Sequence, residues 1–169
     1  MKTKTYENFP IWMILLSILF SLSIYAIGSY ILFKLWAGFF VLYLAYCFWV
    51  EARVLKKSCV NCYYYGKVCC FGKGKLCSLF LKKGNPKRFV EKKISWLGIL
   101  PDFLVFVFPF IVGIALLILN FSWTILLLLI ILVVLSSGGN AVIRGQFACK
   151  YCKQREIGCP AEKLFNKKK

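Results

Sequence analysis

The sequence predicts an all-α membrane protein with four transmembrane helices, arranged as two hairpins in a pseudo-repeat, each followed by a short cytoplasmic cysteine-rich segment that binds metal. Three observations predict this fold. Two long stretches carry almost no charge, basic residues are concentrated between and after them, and eight cysteines recur in those basic segments. Hydrophobic residues make up 60% of the chain, against roughly 45–50% in ordinary soluble domains.

The two apolar stretches predict the membrane spans. Between residues 8 and 50 the only charged residue is Lys34, and residues 103–143 carry no charge at all. A straight helix of 41 residues would be about 62 Å long, twice the roughly 30 Å of a bilayer's hydrocarbon core. Each stretch must therefore fold back, which predicts spans at residues 10–28, 31–51, 97–118 and 121–138.

Short polar or glycine-containing motifs indicate where the helices turn and end. We expect the first turn at Gly28-Ser29-Tyr30, or just after it near Lys34, and the second at Asn120-Phe121-Ser122. Pro101 is typical of a helix start, and Pro109 is expected to kink the third span. Gly138-Gly139-Asn140 is expected to end the fourth span, because glycine readily adopts the C-cap conformation.

The distribution of Lys and Arg predicts the orientation of the chain. The N-terminal tail carries two, residues 51–93 carry twelve, and the tail after the fourth span carries eight. Cytoplasmic segments of membrane proteins are enriched in these residues. We therefore expect a multi-pass protein of the cell membrane with both termini cytoplasmic, divided into a tail and first hairpin (1–57), a basic cysteine-rich segment (58–95), a second hairpin (96–140) and a cysteine-rich tail (141–169).

The cysteines recur with the same spacing in both basic segments. Cys59-x2-Cys62-x6-Cys69 follows the first hairpin, and Cys149-x2-Cys152-x6-Cys159 follows the second, 90 residues later in each case. This indicates an internal duplication of hairpin plus cysteine segment. Gly66 and Gly158 lie where the two cysteine loops must bend sharply.

The repeated spacing is typical of metal ligands. Cys-x2-Cys is the recurring half-site of tetrahedral zinc and of iron–sulfur clusters, and a third cysteine can close around the same ion. Four thiolates fit zinc, which we favour, or a [4Fe–4S] cluster equally well in number. Gly72-Lys73-Gly74-Lys75 is interpreted as a flexible connector between ligands, and Cys47 as a packing residue. The predicted ligands are Cys59, Cys62, Cys69, Cys70, Cys77, Cys149, Cys152 and Cys159.

Two other uses of the thiols stay open. Eight cysteines could form four disulfides, although the reducing cytoplasm disfavours them. A thiol redox pair of the Cys-x2-Cys type needs no third cysteine at a repeated spacing.

Basic and apolar residues alternate after the first cysteine segment, as expected for a segment lying at the lipid headgroups. The positive charge fits anionic headgroups or a cytoplasmic protein partner, and because it flanks membrane spans we do not expect nucleic acid to bind. The predicted contact residues are Lys82, Lys83, Lys87, Arg88, Lys92 and Lys93.

No catalytic constellation is visible, and whether the chain is an enzyme is left open, with a non-enzymatic role favoured. The chain has no histidine, and Glu51 and Asp102 are interpreted as solvated charges at the membrane edge. The leading hypothesis is a membrane subunit or adaptor built on structural zinc. The rivals are an iron–sulfur electron-transfer protein and a protein for metal transport or delivery.

Overall fold

The structure is a computed structural model that describes residues 5–91 and 95–160. Within these residues every regular element is helical, apart from an isolated bridge between Tyr6 and Cys152. The α-helices are α1 (Ile11–Leu35), α2 (Ala37–Lys57), α3 (Lys73–Phe80), α4 (Pro86–Glu91), α5 (Trp96–Leu119), α6 (Trp123–Val134) and α7 (Gln154–Ile157). A 3-10 helix follows α2 (Cys59–Asn61), and two π-helical segments follow α6 (Leu135–Gly139 and Val142–Cys149).

Four helical stretches of the described chain are long and apolar enough to cross a membrane: Ile11–Leu35, Ala37–Asn61, Leu97–Leu119 and Trp123–Cys149. They confirm the prediction of a multi-pass, all-helical membrane protein. Their outer surfaces are covered by exposed apolar side chains such as Leu19, Leu42 and Leu127. Such a surface is stable in lipid, where helices pair most backbone polar groups within themselves.

The first turn lies later than its first expected position. Helix α1 runs straight through Gly28, Ser29 and Tyr30 and ends at Leu35, and the single residue Trp36, in an extended conformation, connects it to α2. Gly28 stays helical because it packs on Tyr43 of α2, where an added Cβ would collide with the tyrosine hydroxyl. The second turn, at Asn120 to Ser122, is where the sequence predicts it.

The fourth span does not end at Gly138-Gly139-Asn140. The backbone continues as π-helix to Cys149, and Asn140 itself has right-handed helical angles (φ −62°, ψ −41°). Gly139 is used for close packing instead, because an added Cβ there would collide with the ring of Phe20 on α1. The prediction was wrong because the helix continues through both glycines, and Gly139 serves a contact between helices and not a C-cap.

Side chains of α2 donate hydrogen bonds to backbone carbonyls of α5. The Tyr43 hydroxyl bonds the carbonyl of Val105 at 2.9 Å, and the Tyr46 hydroxyl bonds that of Pro101 at 2.9 Å. Arg53 Nη2 bonds the Gly98 carbonyl at 3.0 Å.

Pro101 lies more than one turn inside α5, which starts at Trp96. It is therefore not at the helix start, where the sequence predicted it.

Glu51 and Asp102 both have specific partners, and the Asp102 side chain is also 43% exposed, as expected at the membrane edge. The Glu51 carboxylate accepts a hydrogen bond of 2.6 Å from the Tyr25 hydroxyl and forms an ion pair with Lys73. Asp102 lies 3.9 Å from Arg53. The Glu51 contacts connect α1 and α2 to the first residue of α3.

Three apolar clusters form the buried interior. Two lie among the long helices, one around Ile31, Ile125 and Leu132 and the other around Leu32 and Tyr43. Cys47 belongs to the second of these clusters, as expected of a packing residue. The third cluster lies at the end of the bundle where the cysteine segments are found, and it positions the candidate site.

Candidate metal centre

Three distant parts of the chain meet at the cysteine end of the bundle. One buried cluster forms there from three parts of the chain. It contains Phe9, just before α1, Met13 in its first turn, Tyr64 and Cys70 from the central segment, and Ala148 from the end of the last span. Around it pack the apolar and thiol side chains of both cysteine segments. The two segments are therefore brought together, and we call this unit the cysteine module (residues 58–81 and 147–160).

The two Cys-x2-Cys motifs form the same turn. In the first, the Cys62 N–H donates to the Cys59 carbonyl at 3.2 Å, and the Tyr65 N–H donates to the Cys62 carbonyl at 3.1 Å.

In the second turn, 90 residues later, the equivalent bonds run from Cys152 to Cys149 at 3.3 Å and from Arg155 to Cys152 at 3.1 Å. The second cysteine of each motif also has backbone N–H groups directed at its sulfur, from Tyr64 and Tyr63 at Cys62 and from Gln154 and Arg155 at Cys152. The two turns thus match in backbone hydrogen bonds and in one of the two sulfur contacts.

The matched turns bind each other through reciprocal hydrogen bonds. The backbone N–H of Tyr63 donates to Gln154 Oε1 at 2.7 Å, and the backbone N–H of Lys153 donates to the Tyr64 hydroxyl at 3.0 Å. Residues 63 and 153 occupy equivalent positions in the two turns, 90 residues apart, and so do residues 64 and 154. Each turn therefore makes the same kind of contact with the other. This is the pattern of an isologous, two-fold interface.

Helix α3 holds two of the central thiols. The Cys69 sulfur accepts a hydrogen bond of 3.2 Å from the Gly74 N–H, and Cys77 is fully buried with its sulfur 3.8 Å from the Leu55 carbonyl oxygen. Gly74 packs so closely on the Tyr64 and Lys67 carbonyls that no Cβ would fit. Lys73-Gly74-Lys75 is therefore the first turn of a helix and not the flexible connector that we expected.

Electrostatic interactions link the thiols of the two segments. Cys59 interacts with Cys62, Cys69 and Cys77. Cys70, which is buried with its sulfur 3.5 Å from Ser17 Oγ, interacts with both Cys69 and Cys149. Cys62 interacts with both Cys152 and Cys159, and Cys149 interacts with Cys152.

Burial controls the protonation of these thiols. It raises the pKa of Cys62, and the N–H bond from Tyr64 opposes the rise. It raises the pKa of Cys152 to about 12, against the N–H bond from Gln154. Both thiols are therefore protonated near neutral pH, and a metal ion would have to displace their protons.

The side chains do not converge on a single point. In residues 5–91 and 95–160, no three cysteine or acidic side chains are positioned to hold one metal ion. None of the nine cysteines, all of which lie in this part, is disulfide-bonded. The module thus brings the predicted ligands into one region, as separate thiols.

Basic residues surround the module. Lys67 Nζ lies 4.2 Å from the centroid of the Tyr63 ring, and Lys153 Nζ lies 5.5 Å from the same ring and bonds Glu7 at 2.6 Å. The predicted contact residues Lys82, Lys83, Lys87 and Arg88 are all exposed on or beside α4. Lys92 and Lys93 lie outside the described residues.

Comparison of the chain with protein-family models, curated proteins and solved structures gives no match. The function is therefore inferred from the module itself.

Tyr64 and Gln154, the residues that join the two turns, were missed by sequence reasoning. Gln154 is only 4% exposed, which is unusual for an amide side chain. The signal that could have found them was the repeat itself, because these residues occupy equivalent positions two residues after the second cysteine of each motif.

Proposed function

We propose that the protein is an integral membrane subunit or adaptor whose cytoplasmic face is built on cysteine-thiolate sites for structural zinc. The reciprocal contact of the two Cys-x2-Cys turns carries this proposal. The two turns share the same cysteine spacing and the same backbone hydrogen bonds, and they contact each other although they lie 90 residues apart in the sequence. These features support an internal repeat of hairpin plus cysteine segment. N–H groups directed at cysteine sulfur stabilise thiolates, which are the metal-binding form.

Eight thiolates provide for two sites with four cysteines each. The first is Cys59, Cys62, Cys69 and Cys77, in which the Cys59 thiol interacts electrostatically with the other three. The second is Cys70, Cys149, Cys152 and Cys159, which combines the tail triplet with one cysteine from the central segment. Four thiolates complete a tetrahedral zinc site of the structural type, which leaves no open position for a substrate.

Zinc binding would draw the thiols closer together, because no three of them are positioned to share one ion in the described residues. Because the module is small, metal binding would supply a large part of its folding free energy.

The basic surface supports a docking role on the cytoplasmic side. Lys82, Lys83, Lys87 and Arg88 are exposed, and the proposed surface extends to Lys92 and Lys93. Their charge suits anionic lipid headgroups or an acidic surface of a cytoplasmic protein.

Metal analysis of anaerobically purified protein tests the proposal. We expect a colourless protein with one zinc ion for each set of four cysteines. Cys152→Ser should lose zinc, whereas the matched control Cys47→Ser should retain it, because Cys47 is buried among apolar residues of the long helices.

Three outcomes would contradict the proposal. Protein free of zinc and iron would remove the metal sites altogether. A brown protein containing iron and sulfide would favour the rival electron-transfer role with a [4Fe–4S] cluster. Loss of metal in Cys47→Ser would favour the rival role in metal delivery through the span.

A further inference from the structure

Helix α3 has an apolar face that no other part of the described chain covers. Leu76, Leu79 and Phe80 are 45%, 73% and 76% exposed, and their spacing of three and four residues places them on one side of the helix. The opposite side carries Gly74 and Cys77, which are buried against the module. Helix α3 is therefore amphipathic, with an unpartnered apolar side.

Two contacts fix the depth of α3 along the bundle. At its N-terminal end a Cβ on Gly72 would touch Ile14 and Ile18 of α1, and further along the helix Cys77 contacts the Leu55 carbonyl of α2. Ile14 and Ile18 lie 22 and 18 residues before Trp36, and Leu55 lies 19 residues after it. At 1.5 Å per residue these points are about 27–33 Å from the turn.

This depth matches the edge of the hydrocarbon core. The core is about 30 Å thick, so a turn at one surface places both contacts close to the other surface. Since the contacts at its two ends have similar depths, α3 lies across α1 and α2, close to the plane of the membrane. Glu51, Arg53 and Asp102 form their ion pairs in the same region, as expected where helices leave the lipid.

The charge around α3 selects the kind of lipid. Lys75 lies on α3, and Lys82, Lys83, Lys87 and Arg88 follow it, all exposed. From residue 73 to residue 90 the sequence contains no acidic residue. An apolar helix face bordered by lysines is the pattern of a segment that lies in an anionic leaflet.

We propose that α3 is an in-plane membrane anchor that inserts Leu76, Leu79 and Phe80 among the acyl chains of an anionic leaflet. The inference rests on the proposed position of the cysteine module at the membrane face, and it does not require a metal ion. Because Cys77 lies on the inner side of the same helix, the anchor would hold one side of the first cysteine site at the lipid surface.

Photocrosslinking in nanodiscs tests the anchor. Phe80→p-benzoylphenylalanine places a photoreactive group on the apolar face of α3. Glu156→p-benzoylphenylalanine is the matched control, because Glu156 is exposed and lies seven residues beyond Cys149, where the fourth long helical stretch ends. Lipid adducts would be quantified by mass spectrometry in discs of phosphatidylglycerol and of phosphatidylcholine, and zinc would be measured in the same samples.

We expect several-fold more lipid adduct at position 80 than at position 156, and a several-fold lower yield at position 80 in phosphatidylcholine. The anchor would be overturned by equal yields at the two positions or by equal yields in the two lipids. It would also be overturned if position 80 formed adducts only with protein in native membranes. Absence of zinc with the expected lipid adducts would overturn the proposed function and leave the anchor standing.

Discussion

The side chain of Gln154 accepts a hydrogen bond of 2.7 Å from the backbone N–H of Tyr63, and this bond crosses between the two cysteine turns. The same amide donates to the Gly158 carbonyl at 3.0 Å within its own turn. Gln154 therefore fixes the loop between Cys152 and Cys159 and holds that loop against the first turn. Loss of this one side chain should loosen both contacts.

Gln154→Ala is expected to destabilise the cysteine module. It leaves a partly buried N–H at Tyr63 without its acceptor, which costs about 1–3 kcal/mol. Thermal unfolding of the purified protein in detergent would show a lowered midpoint. Ile157→Ala is the matched control, because Ile157 lies on the same short helix and its side chain is 51% exposed. Equal destabilisation by the two variants would contradict the role assigned to the Tyr63 bond.

The spans were predictable because lipid leaves the chain few choices. An apolar stretch in a bilayer must satisfy its backbone by forming a helix, so length and charge suffice to count the spans. The exact turn was not predictable from local sequence. Gly28 is typical of a turn, but a contact with Tyr43, 15 residues later in the sequence, keeps it helical. Gly139 is held helical by Phe20 in the same way.

The sequence identified the thiols that the module brings together, and it did not reveal the scaffold that holds them. Repeated cysteine spacing identifies the thiols, and the bends at Gly66 (φ 74°) and Gly158 (φ 126°) were confirmed. The Tyr64 and Gln154 contacts depend on how the two segments approach in space. No periodicity within either segment encodes that approach, so only the structure reveals it.

The Tyr43 hydroxyl substitutes for a hydrogen bond that proline removes from α5. In an α-helix the Val105 carbonyl would accept from the N–H of residue 109, but residue 109 is a buried proline without an N–H. Tyr43→Phe should therefore leave this carbonyl unsatisfied and cost about 0.6–1.7 kcal/mol, the range measured between membrane helices. The measurement is unfolding in detergent by a denaturant titration.

Tyr46→Phe is the matched control for Tyr43→Phe. Its acceptor, the Pro101 carbonyl, retains the N–H of Val105 as a helical partner, so we expect a smaller cost. In a Pro109→Ala background, the introduced alanine restores an N–H to the Val105 carbonyl, and the cost of Tyr43→Phe should fall. An unchanged cost in that background would show that Tyr43 acts through packing alone.

The buried thiols predict how the metal-free module responds to alkali. Burial raises the pKa of the Cys152 thiol to about 12, above its ordinary value of 9.0. The folded state therefore favours the neutral thiol more than the unfolded state does. Its contribution to stability is complete below pH 9.0 and is lost as the pH rises toward about 12.

Thermal unfolding of metal-free protein on either side of pH 9.0 checks this response. The unfolding midpoint should fall as the pH rises, and the fall should be smaller in Cys152→Ser, which has no thiol to ionise. Zinc-loaded protein should resist the change, because bound thiols are already deprotonated. Zinc affinity itself should rise with pH between neutrality and pH 9.0, since each ligand must release a proton. A midpoint that is insensitive to pH in metal-free protein would mean that Cys152 is not buried in solution.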